Sequence, residues 1–101
     1  MLESVYQAGL ILRIIQRFGP HRTTVQINDP NMPGKQGYPD LTVYIGPKWF
    51  ALEVKAAEKS KKRPNQQYWI DKINREQTFA AFIYPENEEE VFRAMERSLE
   101  A

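Results

Sequence analysis

Two stretches of alternating side chains, separated by a short turn, constrain the fold of this chain more than any other feature. Residues 40–45 and 49–56 each alternate apolar side chains with polar or small ones, and a Gly-Pro-Lys turn at 46–48 lies between them. A period of two predicts β-strands, and the turn joins them as a hairpin. Folding the hairpin brings Asp40, at the start of the first strand, back to the level of Glu53.

Three charged residues are therefore expected to converge at the open end of this hairpin: Asp40, Glu53 and Lys55. Glu53 and Lys55 are two residues apart and share one face of their strand. Two carboxylates can bind a hard divalent cation, which polarises a phosphate and lowers the pKa of a bound water. A lysine can orient that water or stabilise transition-state charge. The plainer alternative is a turn aspartate and a solvated Glu-x-Lys strand face.

The composition indicates one folded, soluble domain. The 101 residues suffice for a single core, and 42% of them are hydrophobic. No apolar stretch approaches the length of a membrane span, and the first helix lacks a signal-peptide pattern. With no cysteine, the chain has no disulfide, thiolate zinc site or cysteine nucleophile. We therefore expect no membrane partner and an intracellular, cytoplasmic protein of phage or host origin.

The net charge of +1 conceals two oppositely charged segments. Residues 55–75 hold seven Lys and Arg against two acids, whereas residues 76–101 hold two Arg against seven Glu. Cations beside the hairpin could grip the backbone phosphates of DNA, or they could form only a solvated connector. The candidate DNA-binding residues are Lys59, Lys61, Lys62, Arg63 and, in the loop before the hairpin, Lys35.

The remaining periodicities predict three helices and two further strands. The elements are a helix at 2–18, a strand at 23–28, hairpin strands at 40–45 and 49–56, a helix at 64–76, a strand at 78–84 and a last helix that Asn87 and Glu90 introduce as a capping box. A strand-helix-strand unit normally closes as a right-handed parallel crossover. The predicted fold class is α/β, a single α-β-β-β-α-β-α domain with a four-stranded mixed sheet flanked by helices.

Polar residues at the start of two helices are further site candidates. Glu3 precedes Tyr6 by three residues, which predicts an inward carboxylate that could be another ligand, or else an ordinary acid favoured by the helix dipole. Gln66 precedes Trp69 by three residues, on the buried face, where its amide needs a polar partner or caps the helix. Gln67 turns further outward. Both tryptophans, at 49 and 69, are expected to be packing residues rather than base-stacking platforms.

Three motifs follow one another in a recognisable order. They are Gly-Tyr-Pro-Asp at 37–40, Leu-Glu-Val-Lys at 52–55 and Pro-Asn-Gln-Gln-Tyr-Trp at 64–69. Together they resemble the PD-(D/E)XK nuclease superfamily and, more closely, its virus-type replication-repair nuclease (VRR-Nuc) group. That group also carries an early helical glutamate, which Glu3 matches. The resemblance spans about residues 3–95.

The resemblance implies a restriction-endonuclease-like fold, with residues 1–101 as a single nuclease domain. It implies a Mg²⁺- or Mn²⁺-dependent, structure-selective DNA endonuclease acting on branched DNA such as Holliday junctions. Stand-alone members are similar to junction resolvases that work as homodimers. By this likeness the metal ligands are Asp40, Glu53 and Glu3, the catalytic lysine is Lys55, and the supporting glutamine is Gln66 or its neighbour Gln67.

The first helix carries more apolar side chains than one inward face needs. The surplus predicts a homodimer contact, or alternatively packing against the last helix. The rival to an enzyme is a non-catalytic nucleic-acid-binding or partner-docking domain that keeps the nuclease fold. The apolar set comprises Leu2, Val5, Leu10, Ile11, Leu12, Ile14 and Ile15.

Overall fold

The hairpin is the centre of the structure, a computed structural model that describes all 101 residues. The elements follow the predicted order and form one α/β domain. No helix in the chain combines the length and the apolar character that crossing a membrane requires. The elements are α1 (Glu3–Phe18), β1 (Thr23–Ile27), β2 (Leu41–Ile45), β3 (Lys48–Val54), α2 (Pro64–Glu76), β4 (Ala80–Ile83) and α3 (Glu88–Glu100).

The four strands form a mixed sheet in the order β1-β2-β3-β4. β1, β2 and β3 are antiparallel neighbours, and β4 runs parallel to β3 after the α2 crossover. Both the hairpin and the crossover were predicted and are confirmed. Gly46 makes the hairpin turn at φ +57°, a left-handed conformation that glycine adopts without a Cβ clash. The pairing of Leu41 with Leu52 sets the register of the hairpin.

Alternation along β3 separates two layers of the domain. Phe50, Leu52 and Val54 face α1 and α3 in the main hydrophobic core. The opposite face of the strand therefore carries Glu53 and, one residue past the strand end, Lys55, on the side that α2 covers. Burying each large apolar side chain contributes about 1.5–3 kcal/mol, and a one-residue slip would exchange the two faces. The core thus determines where the charged pair lies.

Helices α1 and α3 cover the other face and are tied together by ion pairs. Arg13 reaches Glu88 through two hydrogen bonds of 2.7 and 2.9 Å. Arg17 binds both Glu89 and Glu96 at 2.8 to 3.0 Å. Three of the seven glutamates of the acidic C-terminal segment therefore form ion pairs with α1. Under these ion pairs lies the buried stripe of α1, which consists of Tyr6, Leu10, Ile14 and Phe18.

Two details of the predicted elements are wrong. The last strand begins at Ala80 rather than at Thr78, whose hydroxyl donates to the Trp49 carbonyl at 2.6 Å. The capping box at the start of α3 is absent. The Asn87 side chain instead accepts a hydrogen bond from the Tyr84 N–H and donates one to the Phe82 carbonyl. It thus fixes the exit of β4 rather than the first turn of the helix.

Candidate active site

Asp40 and Glu53 lie side by side at the open end of the hairpin, as the predicted register requires. They flank the paired Leu41 and Leu52 on neighbouring strands. The Oδ2 atom of Asp40 accepts a hydrogen bond of 2.9 Å from the Val54 N–H. This contact holds the carboxylate against β3 and leaves its Oδ1 atom without an N–H donor.

Gln66 connects Glu53 to Lys55. Its Nε2 atom donates to Oε2 of Glu53 at 3.0 Å, and its Oε1 atom accepts from Nζ of Lys55 at 2.8 Å. The Lys55 ammonium also lies 4.0 Å from Oε2 of Glu53. Because one amide contacts both charged groups, it fixes the distance and orientation between them. Glu53, Gln66 and Lys55 therefore form one hydrogen-bonded cluster, and Asp40 lies beside it, bound to the Val54 N–H.

The start of α2 determines which of the two glutamines enters this cluster. Pro64 occupies the first turn, and Gln66 folds back so that its Oε1 atom also accepts the Arg63 backbone N–H at 3.0 Å. Gln67 is rotated by about 100° around the helix axis. Its side chain donates to Asp71 on the exposed side of α2. The structure brings Gln66 into the site and leaves Gln67 outside it.

Burial and like charge dominate the electrostatics of the cluster. Glu53 is only 3% exposed and Lys55 only 7% exposed. Burial, followed by the negative charge of Asp40, raises the pKa of Glu53 to about 8, although Lys55 acts in the opposite direction. Two adjacent carboxylates in a low-dielectric environment ionise together only when further positive charge compensates them. Lys55 supplies one such charge, and the side of the pair that faces solvent can accept another.

Glu3 is exposed, contrary to the expectation of an inward carboxylate. Residues 1–5 are all exposed, because the buried stripe of α1 begins at Tyr6. Partial burial and then the charge of Asp40 raise the pKa of Glu3, so the two carboxylates are within electrostatic reach. No group of three or more His, Asp or Glu side chains is arranged to hold a metal ion. The three-carboxylate ligand set implied by the resemblance is therefore not formed.

Asp40 and Glu53 alone still fit a hard divalent cation. Each keeps one carboxylate oxygen that accepts no N–H donor, and both residues line the same cleft. Mg²⁺ commonly binds through one or two carboxylates, while waters and substrate phosphates complete its octahedron. Oxygen donors and a net negative charge are the features that such a cation requires. The pair could hold Mg²⁺ or Mn²⁺ between β3 and the mouth of the cleft.

The cleft in front of the carboxylates has a volume of about 310 Å³. Arg63 lies on its rim and is the only basic residue that lines it. An arginine at this position can bind a phosphate next to one held at the carboxylates. The lining residues are Asn28, Pro30, Gln36, Gly37, Tyr38, Asp40, Glu53, Arg63, Asn65 and Gln66.

The other predicted DNA-binding residues differ in how far they are already engaged. Lys59 and Lys61 are exposed and form no ion pair. The Lys62 ammonium donates to the Glu58 carbonyl at 3.1 Å and lies over the Phe82 and Tyr84 rings. Lys35 lies 4.8 Å from the centroid of the Tyr38 ring and 5.7 Å from that of Trp69. Lys59 and Lys61 are therefore the freest cations of the set.

Gly37 joins the loop before the hairpin to the start of α2. Its φ is +83°, and a Cβ atom there would lie 2.7 to 2.9 Å from the side chain and backbone of Asn65. Only glycine permits this contact, because both the conformation and the space exclude a side chain. The indole N–H of Trp69 adds a hydrogen bond to the Gln36 carbonyl at 3.0 Å. The loop that leads to Asp40 is thus held against α2, the helix that carries Gln66.

Sequence reasoning missed Asn28, which supports Asp40 from β1. Its backbone N–H donates to the Asp40 carbonyl at 2.8 Å, and its side-chain amide donates to the Pro39 carbonyl and to Oγ1 of Thr42. The pairing of Ile27 with Leu41 places Asn28 beside Asp40. A predicted β1–β2 register would have revealed it. Asn28 thus binds the backbone on both sides of the Pro39–Asp40 peptide bond.

Comparison with known proteins assigns the chain to no family. It matches no protein-family model, and no curated protein matches it. The function is therefore inferred from the geometry of the cluster around Glu53 and from the chemistry that its residues permit.

Proposed function

We propose that this protein is a divalent-metal-dependent, structure-selective DNA endonuclease of the PD-(D/E)XK type, resembling the VRR-Nuc group. One observation carries the proposal: the two adjacent carboxylates of Asp40 and Glu53, with Lys55 held beside them by Gln66. The order of helices and strands is compatible with a restriction-endonuclease-like fold. A cluster needed only for stability would not bury the carboxylate of Glu53 next to the partly buried carboxylate of Asp40, because such burial costs free energy.

The chain's own residues have separate tasks in hydrolysis. Asp40 and Glu53 bind the cation and position the scissile phosphate in the cleft. When bound, Mg²⁺ or Mn²⁺ supplies charge neutralisation and a lowered pKa for the attacking water. The Lys55 ammonium, oriented by Gln66, stabilises the charge that develops on the phosphate. The water loses one proton to the solvent as its oxygen forms a bond to phosphorus, the bond from phosphorus to one sugar oxygen breaks, and that oxygen takes up a proton from the solvent.

The basic residues beside the cleft suit a DNA substrate. Arg63 lies on the rim, and the exposed Lys59 and Lys61 extend the positive charge away from the carboxylates. Such contacts neutralise backbone phosphates on both sides of a cut without reading base sequence. Selectivity then depends on the shape of the DNA, and we propose branched DNA, including Holliday junctions, as the substrate.

We also propose that the enzyme acts as a homodimer through α1. Of the apolar surplus on this helix, Leu10 and Ile14 are buried, whereas Val5 and Leu12 are 60% and 64% exposed. The main core, to which the sheet and α3 both contribute, therefore covers part of the set, and the rest leaves an apolar stripe on the surface. Two copies joined along this stripe would present two cleavage sites to the symmetric strands of a junction.

The test is cleavage of junction, flap, nicked and linear duplex DNA with Mg²⁺ or Mn²⁺. Asp40→Asn and Glu53→Gln should each lower the cleavage rate at least about a hundredfold, because several kcal/mol of transition-state stabilisation is lost. Binding in EDTA should persist. Glu90→Gln, an exposed glutamate of α3 in no ion pair, is the matched control and should cut at the wild-type rate.

Calorimetry with Mn²⁺ separates the enzyme from the alternative, a non-catalytic nucleic-acid-binding or partner-docking domain. The endonuclease should bind the ion with a heat signal that Asp40→Asn removes. A wild-type protein that binds no Mn²⁺ at millimolar concentration, with or without DNA, and cuts none of the four substrates would favour the docking domain.

A further inference from the structure

A second cavity, of about 360 Å³, lies next to the candidate active site. It is on the sheet face that α2 covers only over β3 and β4, so β1, β2 and the start of β3 remain open there. Asn28 and Tyr38 line both this cavity and the cleft with the carboxylates. Its volume falls within the range of about 300–1,000 Å³ that is usual for small-molecule sites. The role proposed above for the site does not use this cavity.

Aromatic rings form much of its wall. Tyr44 and Trp49 are directly opposite each other on β2 and β3, and Tyr38 completes the group. Tyr44 is 41% exposed, because α2 does not cover this part of the sheet. Flat aromatic side chains on an open sheet face are the arrangement on which proteins stack unpaired bases.

The polar residues of the cavity suit a neutral ring with a hydrogen-bonding edge. Asn28 uses both parts of its amide, because it accepts from Nε2 of Gln26 and donates to Pro39 and Thr42. Gln26 therefore keeps its carbonyl oxygen and one N–H for a ligand. No acidic residue lines the cavity, and its one charged residue is Lys35. An uncharged base and a neighbouring phosphate would satisfy this set of groups.

We propose that this cavity binds an unpaired nucleobase whose nucleotide adjoins the phosphate cut at Asp40 and Glu53. The base stacks on Tyr44 and on Trp49, for which the sequence alone predicts only a packing role, and Gln26 contacts its edge. A base inside a duplex is stacked and paired on its own strand and does not reach a concave site of this kind without being unstacked. This inference rests on the proposed nuclease function. It specifies the substrate as DNA with an unpaired nucleotide beside the cut.

The experiment measures binding by the full chain in EDTA, where no cleavage occurs. The probes are a DNA duplex with one unpaired 2-aminopurine at a branch and the same duplex fully paired. Wild-type protein should quench the unpaired 2-aminopurine. Tyr44→Thr, which keeps a strand-forming residue, should reduce the quenching and weaken binding of the unpaired probe roughly tenfold, because one of the two stacking rings is lost. Affinity for the paired duplex should change less than about twofold.

The matched control is Tyr68→Ala, which removes a 56% exposed tyrosine that lines neither cavity and should leave both affinities and the quenching unchanged. Gln26→Ala replaces Tyr44→Thr if thermal unfolding shows that Tyr44→Thr is not folded. Equal affinity of a folded variant and the wild type for the unpaired probe overturns the inference.

A parallel cleavage assay separates this inference from the proposed function. Quenching that depends on Tyr44 without any cleavage supports the base site and contradicts the nuclease. Cleavage that is indifferent to Tyr44 contradicts the base site and leaves the nuclease standing. A protein that binds neither probe contradicts both.

Discussion

Glu53→Gln should stabilise the metal-free protein while it abolishes cleavage. Folded Glu53 has a pKa of about 8, whereas the ordinary value is 4.5. The folded state therefore binds the proton more tightly than the unfolded state does. Protonation of Glu53 therefore stabilises the folded wild type. This contribution is fully present below about pH 4.5 and is lost as the pH rises toward about 8.

The magnitude follows from the width of that pH window. Each pH unit across it costs the folded wild type about 1.4 kcal/mol, so the limit at pH 8 is about 5 kcal/mol. Water entry and side-chain relaxation around the ionised carboxylate recover part of this cost. We expect the free energy of unfolding of Glu53→Gln to exceed that of the wild type by about 2–4 kcal/mol at pH 8. At pH 4.5 the two values should be nearly equal. The glutamine can keep the hydrogen bond from Gln66, so packing is nearly unchanged.

Thermal and urea unfolding in EDTA, at pH 4.5 and at pH 8, provide the assay. For a domain of this size, 1 kcal/mol shifts Tm by about 4–8 °C, so the gain at pH 8 should exceed about 8 °C. Glu90→Gln is the control and should show no such difference. Added Mg²⁺ should stabilise the wild type but not Glu53→Gln, because only the wild type binds it well. Equal stability of the two proteins at both pH values would refute the reasoning.

Three further predictions concern the fold, the basic residues and the dimer. Gly37→Ala should destabilise the protein by about 2–4 kcal/mol, because it combines an unfavourable φ with a clash against the backbone of Asn65, and urea unfolding will show the loss. Neutralising Lys61 and Arg63 should lower the salt slope of DNA binding by about one per residue that reaches a phosphate, whereas an unchanged slope would make them solvated residues only. Replacing Leu12 by Glu should convert a dimer into a monomer in light scattering. A wild-type mass near one chain, 11.8 kDa, together with full junction cutting, would contradict the dimer.

The parts of the site that follow from strand periodicity could be predicted from the sequence. The alternation of residues 40–45 and 49–56 fixes the hairpin register, and the register places Asp40 beside Glu53. The burial of Glu53 follows less directly. It depends on α2 lying over that face of β3, which the parallel crossover makes necessary.

The parts that depend on local hydrogen bonding could not be predicted. Gln66 and Gln67 have the same side chain and neighbouring positions, and only the direction in which α2 leaves the connector brings Gln66 to Lys55. Asn87 has the sequence context of a helix cap, but its side-chain amide instead binds the Tyr84 N–H and the Phe82 carbonyl at the end of β4. Glu3 matches the inward period of α1, yet the first turn of the helix extends beyond the core.

The ion pairs between α1 and α3 also affect how the protein would meet DNA in solution. Since Arg13 and Arg17 are neutralised by glutamates of α3, the uncompensated positive charge is concentrated around residues 59–63. A molecule with a small net charge and such a separation orients in the field of DNA before contact. Protein molecules that diffuse toward DNA would therefore approach it with the cleft facing the DNA. Raising the ionic strength would lower the association rate constant more than it shortens the residence time.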